Sequence, residues 1–415
     1  MNNSVVIFAG LRRTNNERFE ALAAAKRLGL SVVLIGRTIP EMAKEHLLEW
    51  HECDTSNHEL GLKVAKDVAS RHNVVGAFSW TDLELSFVAR INQALSLPGL
   101  TPEAVKIIRS KFLTRQAVSE VEDVSPQYFK ISSLDELYTA METLGYPAVV
   151  KPTGGNGSKG IFILKSEKEL ESAISNLRSL VSAGNDPIFN SHGDEFIVEQ
   201  YVQGQEVSVE VLVHRGVVDI IGITDKSTTT PFPFESQHIF PSAASDKAKL
   251  DVQRKIVAIV QAVGCDNCTL HIEGKIENDK FTLIEINGRP GGGYITTHLV
   301  PRSTGVDHVA NIIRVAIGQV PELRPLREGS YAGIRYLFAE KEGQFSGLTG
   351  YDQAILDTGG LDNVMTEIPV GSTITLPPES YTTHRVASVV AHAPSYDILL
   401  NILNNVTTSL SINIQ

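Results

Sequence analysis

The chain has 415 residues, 42% of them hydrophobic and 20% charged, which is typical of a soluble protein with about two to four domains. Its net charge of −11 argues against general binding to nucleic acids or anionic membranes. No apolar run approaches the roughly 18 residues of a membrane span, and the start MNNSVVIFAG lacks the basic segment of a signal peptide. Three cysteines are too few for a disulfide framework, so we expect a cytoplasmic location.

The first 100 residues alternate between short apolar runs and apolar residues at helical spacing. Ser4–Ala9, Ser31–Ile35 and Val74–Ser79 predict buried strands, and the whole pattern predicts a βαβ sheet. Ligands of such sheets bind at the carboxyl ends of the strands, and no GxGxxG motif points to a dinucleotide. Candidate substrate contacts there, with ordinary loop residues as the alternative, are Arg12, Arg13, Thr81, Asp82 and Glu84.

A glycine-rich turn, PTGGNGSKG, separates the predicted strands Ala148–Lys151 and Ile161–Leu164. It differs from a Walker loop, which runs from a strand into a helix. Its backbone N–H groups can still line a phosphate, and Lys151 and Lys159 add positive charge. A flexible surface hairpin is the alternative interpretation.

Two later segments predict loops because they lack periodicity. Gly184–Asp194 is polar and rich in turn-forming residues. Thr224–Gln237 contains three consecutive threonines and the sequence PFPFESQ, and we expect a long, functional loop inside a domain.

A β-hairpin is predicted by two alternating runs, Thr269–Ile276 and Lys280–Ile286, around the turn Glu277–Asp279. Leu283 and Glu285 should share one face of the second strand, with Ile284 and Ile286 on the other. Adjacent strands would then present Glu273 and Glu285 side by side, with Asn287 just past the strand end.

The oxygens of Glu273, Glu285 and Asn287 are ligands that suit Mg²⁺, and Arg289 adds a cation for the same anionic groups. A solvent-facing hairpin with no function is the alternative. Cys265 and Cys268 form an isolated CxxC, for which a tetrahedral zinc site lacks ligands, so packed thiols are expected.

Taken together, the residues resemble the ATP-grasp superfamily of carboxylate–amine ligases across nearly the whole chain. The features that carry the resemblance, in the order of the family, are Lys111, Lys151 with the glycine-rich turn, the segment Glu199–Glu206, and HIEGKI followed by LIEINGRPGG. The resemblance implies an ATP-grasp fold of mixed α/β and α+β class. The domains it implies are an N-terminal βαβ domain (1–110), a lid subdomain (111–202), a catalytic subdomain (203–325) and a C-terminal α+β domain (326–415).

The resemblance also implies ATP as cofactor with two Mg²⁺ ions, for which Mn²⁺ would substitute. The residues it assigns to the nucleotide are Lys111, Lys151, Gly155, Gly157, Ser158, Lys159, Gly160, Glu199, Val202 and Glu206. It assigns Glu273, Glu285 and Asn287 to the metal ions and Arg289 to the transferring phosphoryl group or the acyl phosphate. Within these assignments, Glu199 and Val202 would lie along the adenine edge and Glu206 on the ribose.

Within the superfamily, NGRPGGG, the ESQH segment and the C-terminal region are most similar to the dipeptide-forming L-amino-acid ligases. The implied reaction is phosphorylation of an amino-acid carboxylate by ATP, followed by attack of an amine. Glu235 would hold an ammonium group and His238 the carboxylate or acyl phosphate, with an ordinary polar loop as the alternative; His298 is left open between function and packing.

The implied partners are an amino acid or small carboxylate, an amine, a carrier protein as acceptor, and a second copy in a homodimer. Loading of a carrier protein, a ligase like those of purine biosynthesis, and a non-catalytic ATP-binding subunit are the alternative functions. An intact set of metal ligands argues against the last of these.

Overall fold

The computed structural model describes residues 4–12, 14–155, 159–182, 189, 195–230, 234–327, 329–350, 355, 358–377, 380 and 383–415. The chain divides into two compact units. The first comprises Met1–Ile221, Ala244–Pro290 and Val309–Glu322, and the second Gly222–Ala243, Gly291–His308 and Leu323–Gln415. The boundaries of the four domains expected from the sequence stay predictions. Among the described residues, no helix combines the length and apolarity needed to span a membrane.

The first unit begins with a parallel sheet of strand order β3-β2-β1-β4, which confirms the predicted βαβ pattern. Its strands are β1 (Val5–Ala9), β2 (Ser31–Gly36), β3 (Glu49–Glu52) and β4 (Val74–Ser79), and its helices α1 (Asn15–Arg27), α2 (His58–Arg71) and α3 (Leu85–Leu95). The sequence did not predict β3, because this edge strand has no apolar run. Arg12 and Asp82 follow the carboxyl ends of β1 and β4.

Next along the chain come α4 (Pro102–Ile108), α5 (Lys111–Ala117) and an antiparallel sheet of order β5-β8-β6-β7. Its elements are β5 (Tyr128–Ile131), α6 (Leu134–Leu144), β6 (Ala148–Pro152), β7 (Phe162–Leu164), α7 (Leu170–Ser182) and β8 (Phe196–Gln200). The helices cover one face of this sheet through an apolar core. The glycine-rich turn joins β6 to β7, and the predicted loop Gly184–Asp194 lies, apart from Phe189, outside the described residues.

The predicted hairpin is present in a third sheet of the first unit, in the order β13-β12-β9. The elements here are β9 (Gln205–His214), α8 (Asp246–Val263), β12 (Cys268–Glu277), β13 (Lys280–Asn287) and α10 (His308–Ala316, of which His308 belongs to the second unit). Asn278 and Asp279 form the turn with φ of 50° and 64°, the conformation of a tight two-residue hairpin.

A β-bulge corrects one detail of that hairpin. Glu273 lies opposite Glu285 while Gly274 lies opposite Leu283, so Ile284 is an extra residue on β13. The prediction that Leu283 and Glu285 share a face is therefore wrong. Leu283 points into the core, as Ile286 does, and Glu285 points to the opposite face. One inserted residue inverts the alternation, which the sequence pattern does not reveal.

In the second unit, the end of β10 (Val217–Thr228) pairs with β11, and the sheet continues in the order β11-β14-β18-β16. Its strands are β11 (Glu235–Phe240), β14 (Tyr331–Phe338), β16 (Leu361–Thr366) and β18 (Arg385–Ala393). A smaller sheet, in the order β17-β15-β19, contains β15 (Gly343–Thr349), β17 (Thr373–Ile374) and β19 (Ser411–Ile414). The helices are α9 (Val300–Thr304) and α11 (Tyr396–Ser409), and α11 covers one face of the larger sheet.

The prediction of a long loop over Thr224–Gln237 is wrong for most of that segment. Its first five residues end β10, and Glu235–Gln237 open the antiparallel partner β11. The strand pattern is hidden in the sequence because polar side chains are buried here, among them Lys226 with 2% exposure and His238 with 1%.

Candidate functional site

One face of the β9–β12–β13 sheet carries two cross-strand rows of polar side chains. Directly opposite residues of antiparallel strands project to the same face. The rows are Glu210–His271–Asn287 and Ser208–Glu273–Glu285. The side-by-side placement of Glu273 and Glu285 is thus confirmed, and Asn287 lies one row further along β13.

Lys111 lies beside this polar face. Its Nζ is 3.3 Å from Oε1 of Glu285, and its side chain is only 9% exposed. Its backbone N–H donates to the carbonyl oxygen of Thr153, 2.8 Å away, at the base of the glycine-rich turn. The first turn of α5 therefore brings a predicted phosphate contact next to a predicted metal ligand.

A buried ion-pair cluster holds Lys151. Its Nζ is 2.6 Å from one carboxylate oxygen of Glu199, and the other oxygen accepts a 2.7 Å hydrogen bond from Nε of Arg115. Burial opposes the charge of Glu199, but Arg115 and Lys151 together lower its pKa to about 2. Burial lowers the pKa of Lys151, against the opposing effect of Glu199.

Arg115 was missed by sequence reasoning. Its side chain is fully buried and also donates from Nη2 to the carbonyl oxygen of Ile284, 2.9 Å away. The cluster therefore ties α5 to β8 and β13 and fixes Lys151. The structure places the Glu199 carboxylate between two cations, and its position along the adenine edge stays a prediction.

Arg289 is oriented by Asp82, which lies after β4. Nε of Arg289 donates to Oδ2 of Asp82 at 2.8 Å, and Nη1 donates to the carbonyl oxygen of Pro290 at 2.9 Å. Arg12 donates to the same carbonyl. Burial opposes the charge of Arg289, but Asp82 raises its pKa above the ordinary value. Burial and the nearby Arg289 lower the pKa of Arg12 to about 10.

Asp82 was one of the candidate substrate contacts, and in the structure its carboxylate accepts a hydrogen bond from Arg289. Its side chain is only 2% exposed, and Arg109 lies 3.8 Å away on its other side. Arg13, another candidate, lies outside the described residues. The sequence contained no local signal for the pairing of Asp82 with Arg289.

The remaining nucleotide candidates lie around the turn and on the strands that follow. Gly155 and Gly160 have φ of 129° and 73°, a region that favours glycine. Lys159 lies in the same turn, directly before Gly160. Gly157 and Ser158 lie outside the described residues. Val202 follows β8, and Glu206 lies on β9 opposite Lys275. Contact of these residues with a nucleotide stays a prediction.

In the second unit, Glu235 and His238 form a cluster with Lys226. The Lys226 ammonium is ion-paired with Oε1 of Glu235, and Nε2 of His238 lies 3.3 Å from Oε2. Burial opposes the charge of Glu235, but Lys226 and His238 hold its pKa well below the ordinary range. The Glu235 side chain is 37% exposed, whereas the other two are almost completely buried. Sequence reasoning missed Lys226, because it lies within the segment that lacked periodicity.

Gly293 supports His238 from the other side. Nδ1 of the ring lies 3.4 Å from the Gly293 carbonyl oxygen. A Cβ atom at position 293 would approach Cε1 of His238 to 2.5 Å, and φ is +58°. Glycine is therefore required by both space and backbone conformation. The ring of His298 packs edge-on against Tyr294, at 4.8 Å between centroids, as one of its two interpretations expected.

The two cysteines of the CxxC segment are free and buried. Burial, with a hydrogen bond to Cys265, raises the pKa of Cys268. Within the described ranges, no group of three or more His, Cys, Asp or Glu side chains is arranged to hold a metal ion.

We therefore expect the double substitution Cys265→Ala and Cys268→Ala to leave activity near normal. Loss of two buried thiols should cost about 1–3 kcal/mol in free energy of unfolding. The measurement is the initial rate of ADP formation, together with the metal content of the purified protein. A large loss of bound metal would contradict the interpretation as packed thiols.

Residues 144–298 match the sequence profile of the ATP-grasp domain. This segment is an ATP-grasp domain. The matched segment includes every nucleotide and metal candidate except Lys111. It also includes Glu235, His238 and Arg289, so the ATP-grasp domain contains nearly the whole candidate site.

Two relatives and one solved structure extend the comparison beyond this domain. An uncharacterized protein of Sinorhizobium fredii, y4rH, is 25% identical over 405 residues, 97% of this chain and 81% of that protein. The alanine–anticapsin ligase of Bacillus subtilis is 25% identical over 224 residues, 51% of this chain and 47% of that ligase. The crystal structure of an L-amino acid ligase from Bacillus licheniformis superposes with a TM-score of 0.84 at 21% identity, covering 100% of both chains.

These comparisons confirm the ATP-grasp fold and the likeness to L-amino-acid ligases. They also support the prediction of an ATP-dependent carboxylate–amine ligase. The alignment spans only about half the length of the anticapsin ligase, so the substrates in that protein's name belong to that protein.

Proposed function

We propose that the protein is an ADP-forming ligase that phosphorylates an amino-acid carboxylate with ATP and joins the acyl phosphate to an amine. The observation that carries the proposal is the pair Glu273 and Glu285 on one sheet face, with Lys111 3.3 Å from one carboxylate. Acidic and cationic groups that alternate in this way suit a triphosphate held together with a divalent cation.

The donor set of the polar face fits magnesium. Two carboxylates and one amide oxygen lie on adjacent strands, and hard oxygen ligands of this kind are those Mg²⁺ takes. Glu273, Glu285 and Asn287 would hold the ion, and Mn²⁺ would substitute for it. When bound, the ion neutralises charge on the phosphate oxygens.

The positively charged side chains bind the phosphates and stabilise the charge that develops during phosphoryl transfer. Lys111 and Lys151 bind the phosphates, and Arg289, oriented by Asp82, spreads the charge of the transferring group. The glycine-rich turn closes over the phosphates and excludes water, which would hydrolyse an acyl phosphate.

In the second unit, the cluster of Lys226, Glu235 and His238 is our candidate contact for the substrates. Glu235 is its accessible member and stays ionised, so it can accept hydrogen bonds from a substrate ammonium group. Its pairing with Lys226 fixes the carboxylate in place, and His238 would contact the carboxylate or acyl phosphate. Dipeptide synthesis in the cytoplasm is the reaction and location we propose; a carrier-protein acceptor and a homodimer stay predictions.

The decisive experiment is a matrix of amino-acid pairs incubated with ATP and Mg²⁺ and scored for ADP and phosphate release. Mass spectrometry identifies the products. We expect at least one pair to stimulate ADP formation and to yield a product with a new amide bond. If no mixture of amino acids, amines or carrier-bound acceptors stimulates ADP formation, the protein is not a ligase of this type.

A further inference from the structure

His271 is the middle residue of the first row of the polar face. Its Nδ1 lies 2.5 Å from Oε1 of Glu210, and its Nε2 lies 3.3 Å from Oε1 of Glu273. Glu210 lies opposite His271 on β9, and Glu273 is two residues further along β12, on the same face. Both ring nitrogens therefore face carboxylates, and the imidazole cannot turn without losing one of the two contacts.

The first two members of this chain of contacts are buried. Glu210 is 0% exposed and His271 3%, while the side chain of Glu273 is 23% exposed. A buried carboxylate costs free energy unless it is paired and hydrogen-bonded. Glu210 fixes the His271 ring from the interior of the sheet, and His271 in turn contacts Glu273, the one member of the three that is partly open to solvent.

We propose that Glu210 and His271 are positioning residues that orient the Glu273 carboxylate and so set the affinity of the site for a divalent cation. His271 contacts the Glu273 carboxylate directly, through Nε2 and Oε1. The inference rests on the proposed function, because it takes Glu273 as a metal ligand. Side chains that orient a metal ligand in this way typically change metal affinity or activity about 10–100-fold when they are removed.

The test is a titration of the purified protein with Mn²⁺ alone, followed by electron paramagnetic resonance of the free ion. We expect Glu210→Gln and His271→Gln each to raise the Kd for Mn²⁺ about 10–100-fold. Glu210→Gln keeps the shape and one hydrogen-bond acceptor, so its effect should be smaller than that of Glu210→Ala. In the same variants, KM for ATP at saturating Mg²⁺ should change much less than the Mg²⁺ concentration that gives half-maximal rate.

The matched control is Asp251→Asn, which removes a carboxylate from another buried ion pair of the same unit. Asp251 lies 2.9 Å from Nζ of Lys255, whose side chain is 1% exposed. This variant should lower the melting temperature and leave the Kd for Mn²⁺ unchanged, which separates positioning of the ligand from a general loss of stability.

The outcomes of the titration distinguish a positioning role from a general loss of stability and from the absence of a metal site. Wild-type affinity in folded Glu210→Gln and His271→Gln protein would overturn the positioning role and leave the proposed ligase intact. Equal weakening in Asp251→Asn would overturn it as well. If the wild-type protein itself fails to bind Mn²⁺, the metal site of the proposed function falls together with the inference. Should His271→Gln not fold, the isosteric Glu210→Gln decides.

Discussion

Replacing Glu285 with Gln is expected to reduce the rate of ADP formation by about a thousandfold or more. A metal ion contributes several kcal/mol of charge stabilisation to a phosphoryl transfer, and about 4 kcal/mol corresponds to three orders of magnitude in rate. The substitution removes the charge that lies beside Lys111 and opposite Glu273 but almost none of the volume. The fold should therefore persist, as measured by circular dichroism and thermal unfolding.

Glu277→Gln is the matched control for that experiment. Glu277 ends β12 in the same hairpin, is exposed, and lies opposite Lys280, four residues along the strand from Glu273. We expect wild-type turnover from this variant. Substantial activity of Glu285→Gln at saturating Mg²⁺ would show that Glu285 is not a metal ligand.

Glu199→Gln is expected to lower the free energy of unfolding by about 3–5 kcal/mol, because it leaves two buried cations without their carboxylate. Arg115 is 0% exposed and Lys151 4%, so neither regains hydration. Urea unfolding at neutral pH measures the loss. The matched control is Glu195→Gln, which removes the charge from an exposed ion pair in which Nζ of Lys130 lies 2.7 Å from Oε1 of Glu195. This change should lower the free energy of unfolding by less than about 1 kcal/mol. Similar losses in the two variants would contradict the buried-cluster interpretation.

The stabilisation by Glu199 should also depend on pH. Its pKa in the folded protein is about 2, below the ordinary value of 4.5. A depressed carboxyl pKa stabilises the folded state fully above the unfolded pKa, and the contribution is lost as the pH falls towards the folded one. The stability difference between wild type and Glu199→Gln should therefore shrink between about pH 4.5 and about pH 2. A difference that stays constant over this range would contradict the assignment.

Much of the candidate site could be predicted from the sequence because its signals are local. Alternation along two short runs predicted the hairpin, and the confirmed pairing of Glu273 with Glu285 follows from it. A glycine-rich turn after Lys151 has a recognisable composition wherever it occurs. The order of these features along the chain indicated the ATP-grasp superfamily, which the match over residues 144–298 confirms.

The predictions that the structure contradicts share a different physical origin. The bulge at Ile284 inserts one residue without any change in composition, and it moved Leu283 to the other face. Lys226 and His238 are polar side chains buried in a sheet. Because they are polar, the segment around them showed no strand pattern, and parts of β10 and β11 were predicted as a loop. Periodicity detects apolar burial, and it detects nothing where polar groups are buried in pairs.

The sequence by itself determined the strands of the hairpin, the glycine-rich turn and the order of charged residues, since each depends on neighbours a few positions away. Only the tertiary structure decided which charges meet. Arg115 is 84 residues from Glu199, Asp82 is 207 from Arg289, and Glu210 is 61 from His271. Strand order and register bring these partners together, and neither is encoded in the local alternation of side chains. The predicted metal ligands therefore lie on a hairpin that the sequence reveals. The residues that contact and orient them come from distant parts of the chain, which only the folded structure brings near.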